Sequence, residues 1–441
     1  MNRTALVALL LPLAVAPVGL AGPPAHAATT CHGLTVTLQG TPGANLQGTP
    51  GNDVIETNGA SVVLAGTGDD TICVTEPGPR VAVLAGEGND YVEAAAGREV
   101  ITTLGAGSDT YRGGVGFDAV TAGENNGGAA DLAVDTETDD IETGGGGDLV
   151  FSGRDGLPNA DRLLLGEGDD SLFLRGSSAA ADAGAGDDRL TPFTGPPDPS
   201  TWGLDTTSGV LTRQGAAVWS IPGFERFSLR SFGQGGVVVI RGSRADEHFE
   251  LWDRPGGGRV DIAAGGGDDD IIVNERQAGR LDGQRGHDEV LVSDTYISDK
   301  PQHGGRVDLR LDRGRATVVS QGATQRWRLG RFESVTAFGF YRASAVGTGH
   351  RELIRIGGAC HATVDGRGGD DTLVRRRGSD CGPGGSGGRD QSTLFHGGPG
   401  DDRLIGSQGP EVLIGDGGRD QAEGRTGIDR CEAEREFGCE L

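Results

Sequence analysis

Carboxylates held in glycine turns are the residues of this chain best placed to do chemistry. A Gly-x-Gly-x-Asp-x-apolar motif carries Gly66, Gly68 and Asp70, then Gly86, Gly88 and Asp90, then Gly105, Gly107 and Asp109, then Gly114, Gly116 and Asp118. It returns with Gly144, Gly146 and Asp148, with Gly166, Gly168 and Asp170, and with Gly184, Gly186 and Asp188. Two later copies carry Gly265, Gly267 and Asp269, and Gly398, Gly400 and Asp402. A random order of the same composition would give roughly half a copy, so the repeat sets the architecture. Glycine turns where other residues do not and leaves carbonyl oxygens uncovered. The aspartate adds a hard anionic oxygen. A donor set of oxygens alone suits calcium, which takes six to eight of them in a flexible shell. Magnesium prefers a stricter octahedron and its own waters, so it fits less well.

The spacing says what must hold these turns in place. Asp70 and Asp90 are 20 residues apart, Asp90 and Asp109 are 19 apart, and Asp170 and Asp188 are 18 apart. Between them lie β-rich runs such as Ser61–Leu64, Val81–Leu84 and Val100–Leu104. The apolar residue two positions after each aspartate points inward on a short strand, because side chains alternate. A plain second turn interrupts each cycle, as in EPGPR at Glu76–Arg80. One cycle reads as one solenoid coil: strand, acidic turn, strand, plain turn. Stacked coils align the acidic turns into one column along an edge.

The motif resembles the nonapeptide GGxGxDxUx of the hemolysin-type calcium-binding repeat (RTX) family. The resemblance implies a parallel β-roll in which the first six residues form a calcium-binding turn and the rest a strand. It places ligand carboxylates at the nine aspartates above and, on weaker copies, at Asp53, Asp288, Asp371 and Asp420. The tightest rolls of the family run nonapeptides back to back and bind metal on both edges. Here only Asp109 and Asp118 stand nine apart, which implies mostly one interrupted column.

The first residues read as a secretory signal peptide: Arg3, an apolar run over Ala5–Leu20, and an A-x-A site at Ala25-His26-Ala27. Pro12 and Pro17 interrupt that run and it is short for a membrane span, so export to the extracellular space is expected. The net charge of −25 disfavours nucleic acid as a partner. Lys300 is the single lysine among 39 basic residues, a skew that fits the high-GC genomes of some Gram-positive bacteria. Six cysteines in an exported chain imply disulfides. Of the fifteen possible connectivities, the local, non-crossing set Cys31–Cys73, Cys360–Cys381 and Cys431–Cys439 suits a solenoid. No CxxC supports a zinc site.

The expected fold is all-β: a parallel β-solenoid, β-roll-like, with wider irregular coils in the middle and a capped C-terminus. Its parts are a signal peptide (1–27), an N-terminal solenoid (28–192), a first β-rich unit (193–300), a duplicate of it (301–424) and a cap (425–441). The duplication rests on VWSIPGFERF at Val218–Phe227 and RWRLGRFESV at Arg326–Val335. Trp219 and Trp327 are read there as core plugs. GSRADEHF at Gly242–Phe249 and GTGHRELI at Gly347–Ile354 repeat the GTPGNDVI of residues 48–55, the last with Arg351 where an acid is expected. Helical periodicity is confined to Asp429–Phe437.

Catalytic signals fail on context. Gly-x-Ser-x-Gly at Gly384–Gly388 sits in a glycine tract, without the strand and helix a nucleophile elbow needs. No HExxH, P-loop or dinucleotide fingerprint occurs. Among 64 acidic residues, a pair such as Asp139-Asp140 carries no information. The expected function is a secreted, monomeric, non-enzymatic calcium-binding repeat protein with a structural, surface or matrix role and a cell-wall or matrix glycan as partner. The alternative is a calcium-stabilised β-helical enzyme acting on extracellular polysaccharide, for which the basic run Arg375-Arg376-Arg377 is the one hint.

Overall fold

The computed structural model describes residues 30–75, 80–94, 97–123, 137–154, 157–176, 179–193, 198–229, 235–251, 258–274, 276–294, 302–376 and 392–440. The signal-peptide segment, Arg377, Cys381 and Gly384–Gly388 lie outside them. The described chain is almost wholly β-strand, and its one helical turn is the 3-10 segment Leu311–Arg313. The chain divides into two compact units. The first holds Met1–Asp188 with Trp219–Gly223, and the second holds Arg189–Val218 with Phe224–Leu441.

Each unit is a parallel β-solenoid. In the first unit, one sheet stacks Asn45–Gln47, Val62–Thr67, Val81–Glu87, Val100–Ala106, Asp118–Thr121, Leu149–Ser152 and Ser171–Leu174. The other stacks Leu38–Gln39, Val54–Glu56, Thr71–Val74, Tyr91–Ala94, Thr110–Arg112, Asp140–Gly145, Arg162–Glu167 and Ala180–Ala185. The chain alternates between the two sheets, so each coil contributes one strand to each. Register is kept by the buried row: Ile55, Ile72, Val92, Tyr111, Ile141 and Leu163 face one another through successive pairings. All six are fully buried. A one-residue slip would turn that whole row to solvent, which is why the register is strongly set.

The second unit follows the same plan. One sheet runs through Arg226–Ser228, His248–Glu250, Asp270–Asn274, Glu289–Ser293, Ser334–Phe338, Leu353–Gly357, Thr372–Arg375, Arg403–Ile405, Gln421–Glu423 and Arg435–Phe437. Its partner sheet contains an antiparallel meander of Gln302–Arg310, Arg315–Ser320 and Ala323–Gly330. The last strand of the meander joins Ala278–Arg285 in parallel, and the first joins Phe340–Val346 in parallel. The wide coil expected here is therefore a hairpin excursion laid into the ladder. Trp327 on it and Trp219 are both buried, as core plugs should be. The residues read as weakly helical form the short strands Arg430–Glu432 and Arg435–Phe437 instead. Parallel pairing to the coils before them supplies backbone hydrogen bonds that a lone short helix could not match.

Candidate metal columns along the turns

A parallel solenoid puts the residue before each strand directly over its counterpart in the next coil. In the first unit that residue is Asp53, Asp70, Asp90, Asp109, Asp139 and Asp161 along one edge. Each backbone N–H donates to Oδ1 of the next carboxylate, at 2.7, 2.8, 2.7, 2.9 and 3.1 Å in turn. The opposite edge carries Asp118, Asp148, Asp170 and Asp188, linked the same way at 2.8, 2.7 and 2.8 Å. So the single column expected from spacing is two columns. The nine residues from Asp109 to Asp118 cross one strand only, Thr110–Arg112, so the next acidic turn falls on the other edge.

The second unit repeats the device with mixed carboxylates. Glu247 donates its N–H to Asp269 at 2.9 Å, Asp269 to Asp288 at 3.0 Å, and Asp288 to Glu333 at 3.0 Å. A second run goes from Glu352 to Asp371, Asp402, Asp420 and Glu434, at 2.8, 2.8, 2.9 and 2.7 Å. A third links Glu411, Asp429 and Glu440, each step at 2.9 Å. All thirteen aspartates named from sequence lie in these ladders. The motif missed Asp139, Asp161, Glu247, Glu333, Glu352, Glu411, Asp429, Glu434 and Glu440. One signal could have found Asp139 and Asp161. The steps 109–139 and 118–148 both span 30 residues, and 139–161 and 148–170 both span 22.

The turn backbone explains the glycines. Four residues before the carboxylate, the chain enters the left-handed region at Gly66, Gly86, Gly105, Gly144, Gly166, Gly184, Gly265 and Gly398. Gln284, Arg367, Asp416 and Arg425 adopt the same conformation before Asp288, Asp371, Asp420 and Asp429. Two residues later Gly68, Gly88, Gly107, Gly146, Gly168, Gly267 and Gly400 do so again, whereas Gly116 and Gly186 do not. Coil also presses on coil: a Cβ on Gly105 would be driven into the carbonyl oxygen of Gly86.

The ladder carboxylates are buried except Glu333, which is half-buried, and Glu434 and Glu440, which are exposed. Both oxygens of Asp118 lack a partner, whereas in each rung that follows another in its run one oxygen accepts the backbone bond. The other, at Asp70, Asp90, Asp109, Asp170, Asp269 and Asp402, is buried with no hydrogen-bond partner. Burial pushes Asp90, Asp118, Asp170 and Asp269 up to about 7 and Asp371 up to about 8, and neighbouring carboxylates add to the rise. Asp109, Asp288 and Asp402 rise to about 6 for the same first reason. A buried charge of this kind needs a counterion or a proton. Among the described residues, no three His, Cys, Asp or Glu side chains converge on one point. Each turn offers one carboxylate, and the rest of a cation's shell would be carbonyl oxygen from the glycine turns. That donor set fits calcium.

Other sequence readings move. Arg351 is exposed, and its neighbour Glu352 is the rung, so the duplicated turn does hold an acid. Asp139 is a rung, while Asp140 faces outward and pairs with Arg112 and Arg162. Arg375 is no part of a basic patch. It is buried, with its guanidinium donating to the carbonyls of Ile356, Ala359 and Arg376 and to the Thr393 hydroxyl. Cys31–Cys73 and Cys431–Cys439 are disulfides, and Cys360 is also disulfide-bonded.

Comparison with protein families matches four copies of the RTX calcium-binding nonapeptide repeat, over residues 39–72 and 396–431. No curated protein matches the chain.

Proposed function

We propose that this chain, which carries RTX calcium-binding repeats, is a secreted calcium-binding protein with a structural role outside the cell. The observation that carries the reading is the row of buried carboxylate oxygens without partners, most of them set in a left-handed glycine turn. Calcium there would supply positive charge and join adjacent coils. The chain's own residues do the rest. The parallel register spaces the carboxylates, the backbone N–H of one rung orients the carboxylate of the next, and the glycines leave carbonyls accessible. The role is non-catalytic, with extracellular glycan as the partner class and residues 1–27 as the export signal. The disulfides and the absence of any described helix able to cross a membrane are consistent with it.

Calorimetric titration with calcium, with melting in calcium, magnesium and chelator, tests this. Several ions should bind. Each independent site adds about 2.7 kcal/mol at a hundredfold excess over its dissociation constant. Equal melting in calcium and chelator would refute the reading, and an equal rise with magnesium would reduce it to charge screening.

A further inference from the structure

Not every rung has the same turn, and three that stand first in their bonded runs share an odd one. Asp53 opens the first run, Glu247 the run through Asp269 and Asp288, and Glu352 the run through Asp371 and Asp402. None has a left-handed residue four before it. That position is Thr49, Ser243 or Thr348. In each case the turn closes on itself. Thr49 donates its N–H to Asp53 Oδ2 at 2.7 Å and its hydroxyl at 3.0 Å. Thr348 donates its N–H to Glu352 Oε2 at 3.2 Å and its hydroxyl to Oε1. Ser243 donates its N–H to Glu247 Oε2 at 2.9 Å. The same hydroxyls accept the N–H two residues before the carboxylate: Gly51 at 3.3 Å, Ala245 at 3.0 Å and His350 at 3.1 Å.

In the glycine turns that N–H goes elsewhere. Gly68, Gly88, Gly168, Gly369 and Gly400 donate it to a carbonyl of the next coil, at 2.7 to 3.0 Å. Nothing inside those turns then reaches the second carboxylate oxygen. Asp53, Glu247 and Glu352 leave no such oxygen buried and unpartnered, whereas Asp70, Asp269 and Asp371, one step along, each leave one. Glu411 is intermediate: Ser407 donates its hydroxyl to Oε1, and Oε2 stays unpartnered.

We propose that the residue four positions before the carboxylate distinguishes two kinds of rung. A left-handed residue leaves the carboxylate open to a cation. Ser or Thr closes it, so Asp53, Glu247 and Glu352 are metal-free caps that hold the first coil of their runs without calcium. The physical reason is positional. A later carboxylate in a run accepts the amide of the previous rung, as Asp70 does from Asp53, Asp269 from Glu247 and Asp371 from Glu352; a cap does not rely on one. Its own turn supplies the hydrogen bonds instead, much as an N-cap side chain serves a helix end. This rests on the calcium reading for the open rungs but not for the caps.

The test is hydrogen exchange and calcium counting on the full chain. In chelator, the His350 amide of the wild type should exchange about tenfold more slowly than the Gly369 amide, because its turn needs no ion. Thr348→Val should abolish that protection and leave the number of bound calcium ions unchanged. Thr348→Gly with His350→Gly, which restores the open turn, should add one ion. A Thr348→Val chain that binds one ion fewer would overturn the proposal. So would equal exchange at His350 and Gly369 in the wild type, a result that needs no variant to fold. If the wild type bound no calcium, the calcium reading would fall, and the exchange ranking would still decide the caps.

Discussion

The turn at 66–70 and the turn at 348–352 hold a carboxylate at the same place in the coil by different means. At the first, two left-handed glycines bend the chain and Asp70 keeps one buried oxygen unpartnered. At the second, Thr348 folds back on Glu352 and no residue of the turn is left-handed. Yet Asp70 and Glu352 both accept or donate along a ladder of the same step. The parallel sheets fix where the rung stands, and local turn chemistry is then free to vary. What varies with it is the need for a cation.

Glycine substitutions should separate the two turn types most sharply. Gly105 is left-handed and lies against the Gly86 carbonyl, so Gly105→Ala combines backbone strain with a clash that no flexible side chain can relieve. A loss of about 3 kcal/mol or more is expected. Gly349 in the closed turn has open space around it and an ordinary φ. Gly349→Ala should change stability by no more than about 0.5 kcal/mol. Chemical denaturation in calcium measures both. Similar losses at the two sites would erase the distinction.

A charge deletion should then change sign with the metal. Asp90 is pushed up to about 7 by burial, with Asp109 and Asp70 adding to it. Asp90→Asn keeps an acceptor for the Asp70 N–H and removes the charge. In chelator it should stabilise by about 1 kcal/mol, because an uncompensated buried carboxylate is gone. In calcium it should destabilise by about 2 to 3 kcal/mol, the worth of one occupied site. Destabilisation of the same size in both conditions would mean the rung is structural and the cation incidental.

The same carboxylates predict an unusual pH profile. Their folded values lie above the ordinary aspartate value of 3.8, at about 7 for Asp170 and Asp269 and about 8 for Asp371. The folded state therefore binds more protons between those limits, and stability falls as pH rises. Without metal, the contribution is fully present below pH 3.8 and is lost as pH climbs through about 6 to 8. With calcium the ions replace the protons and that loss should vanish. Melting from pH 5 to 8 in chelator and in calcium checks it. A metal-free chain that gains stability over this window would contradict the buried-charge picture.

How much of this was legible follows from the same contrast. Asp70, Asp90 and Asp402 could be read because glycine is the residue that takes left-handed φ without strain, so their turns leave a spelling in the sequence. Gln284, Arg367, Asp416 and Arg425 reach the same backbone without glycine, which is why Asp288, Asp371 and Asp420 looked weaker. Glu247 and Glu352 were hidden because their turns are spelled in Ser and Thr. The apparent misplacement of Arg351 was a one-residue misreading of that spelling. The far end of the first edge was hidden for another reason. Asp139 and Asp161 keep no glycine frame, and only the pairing of Thr110–Arg112 with Asp140–Gly145 reveals the rung.

The smallest expected effect concerns a second row outside the first. Asn52, Asp69 and Asn89 are exposed, and their side-chain oxygens accept the N–H of Asp69, Asn89 and Ser108 at 2.9, 2.8 and 2.9 Å. This outer row runs parallel to the Asp53–Asp109 column, one residue earlier in the chain. Its groups stay in water, so each bond exchanges with solvent and contributes little. Asp69→Ala should lower stability by about 0.5 kcal/mol at most and leave the calcium count unchanged. It also removes a negative charge that adds to the rise at Asp90 and Asp70. The metal-free chain should therefore lose slightly less stability between pH 5 and 8 than the wild type. If Asp69→Ala instead cost an ion, as Asp90→Asn should, the cation shell would extend to the outer row and burial would not be what marks a rung.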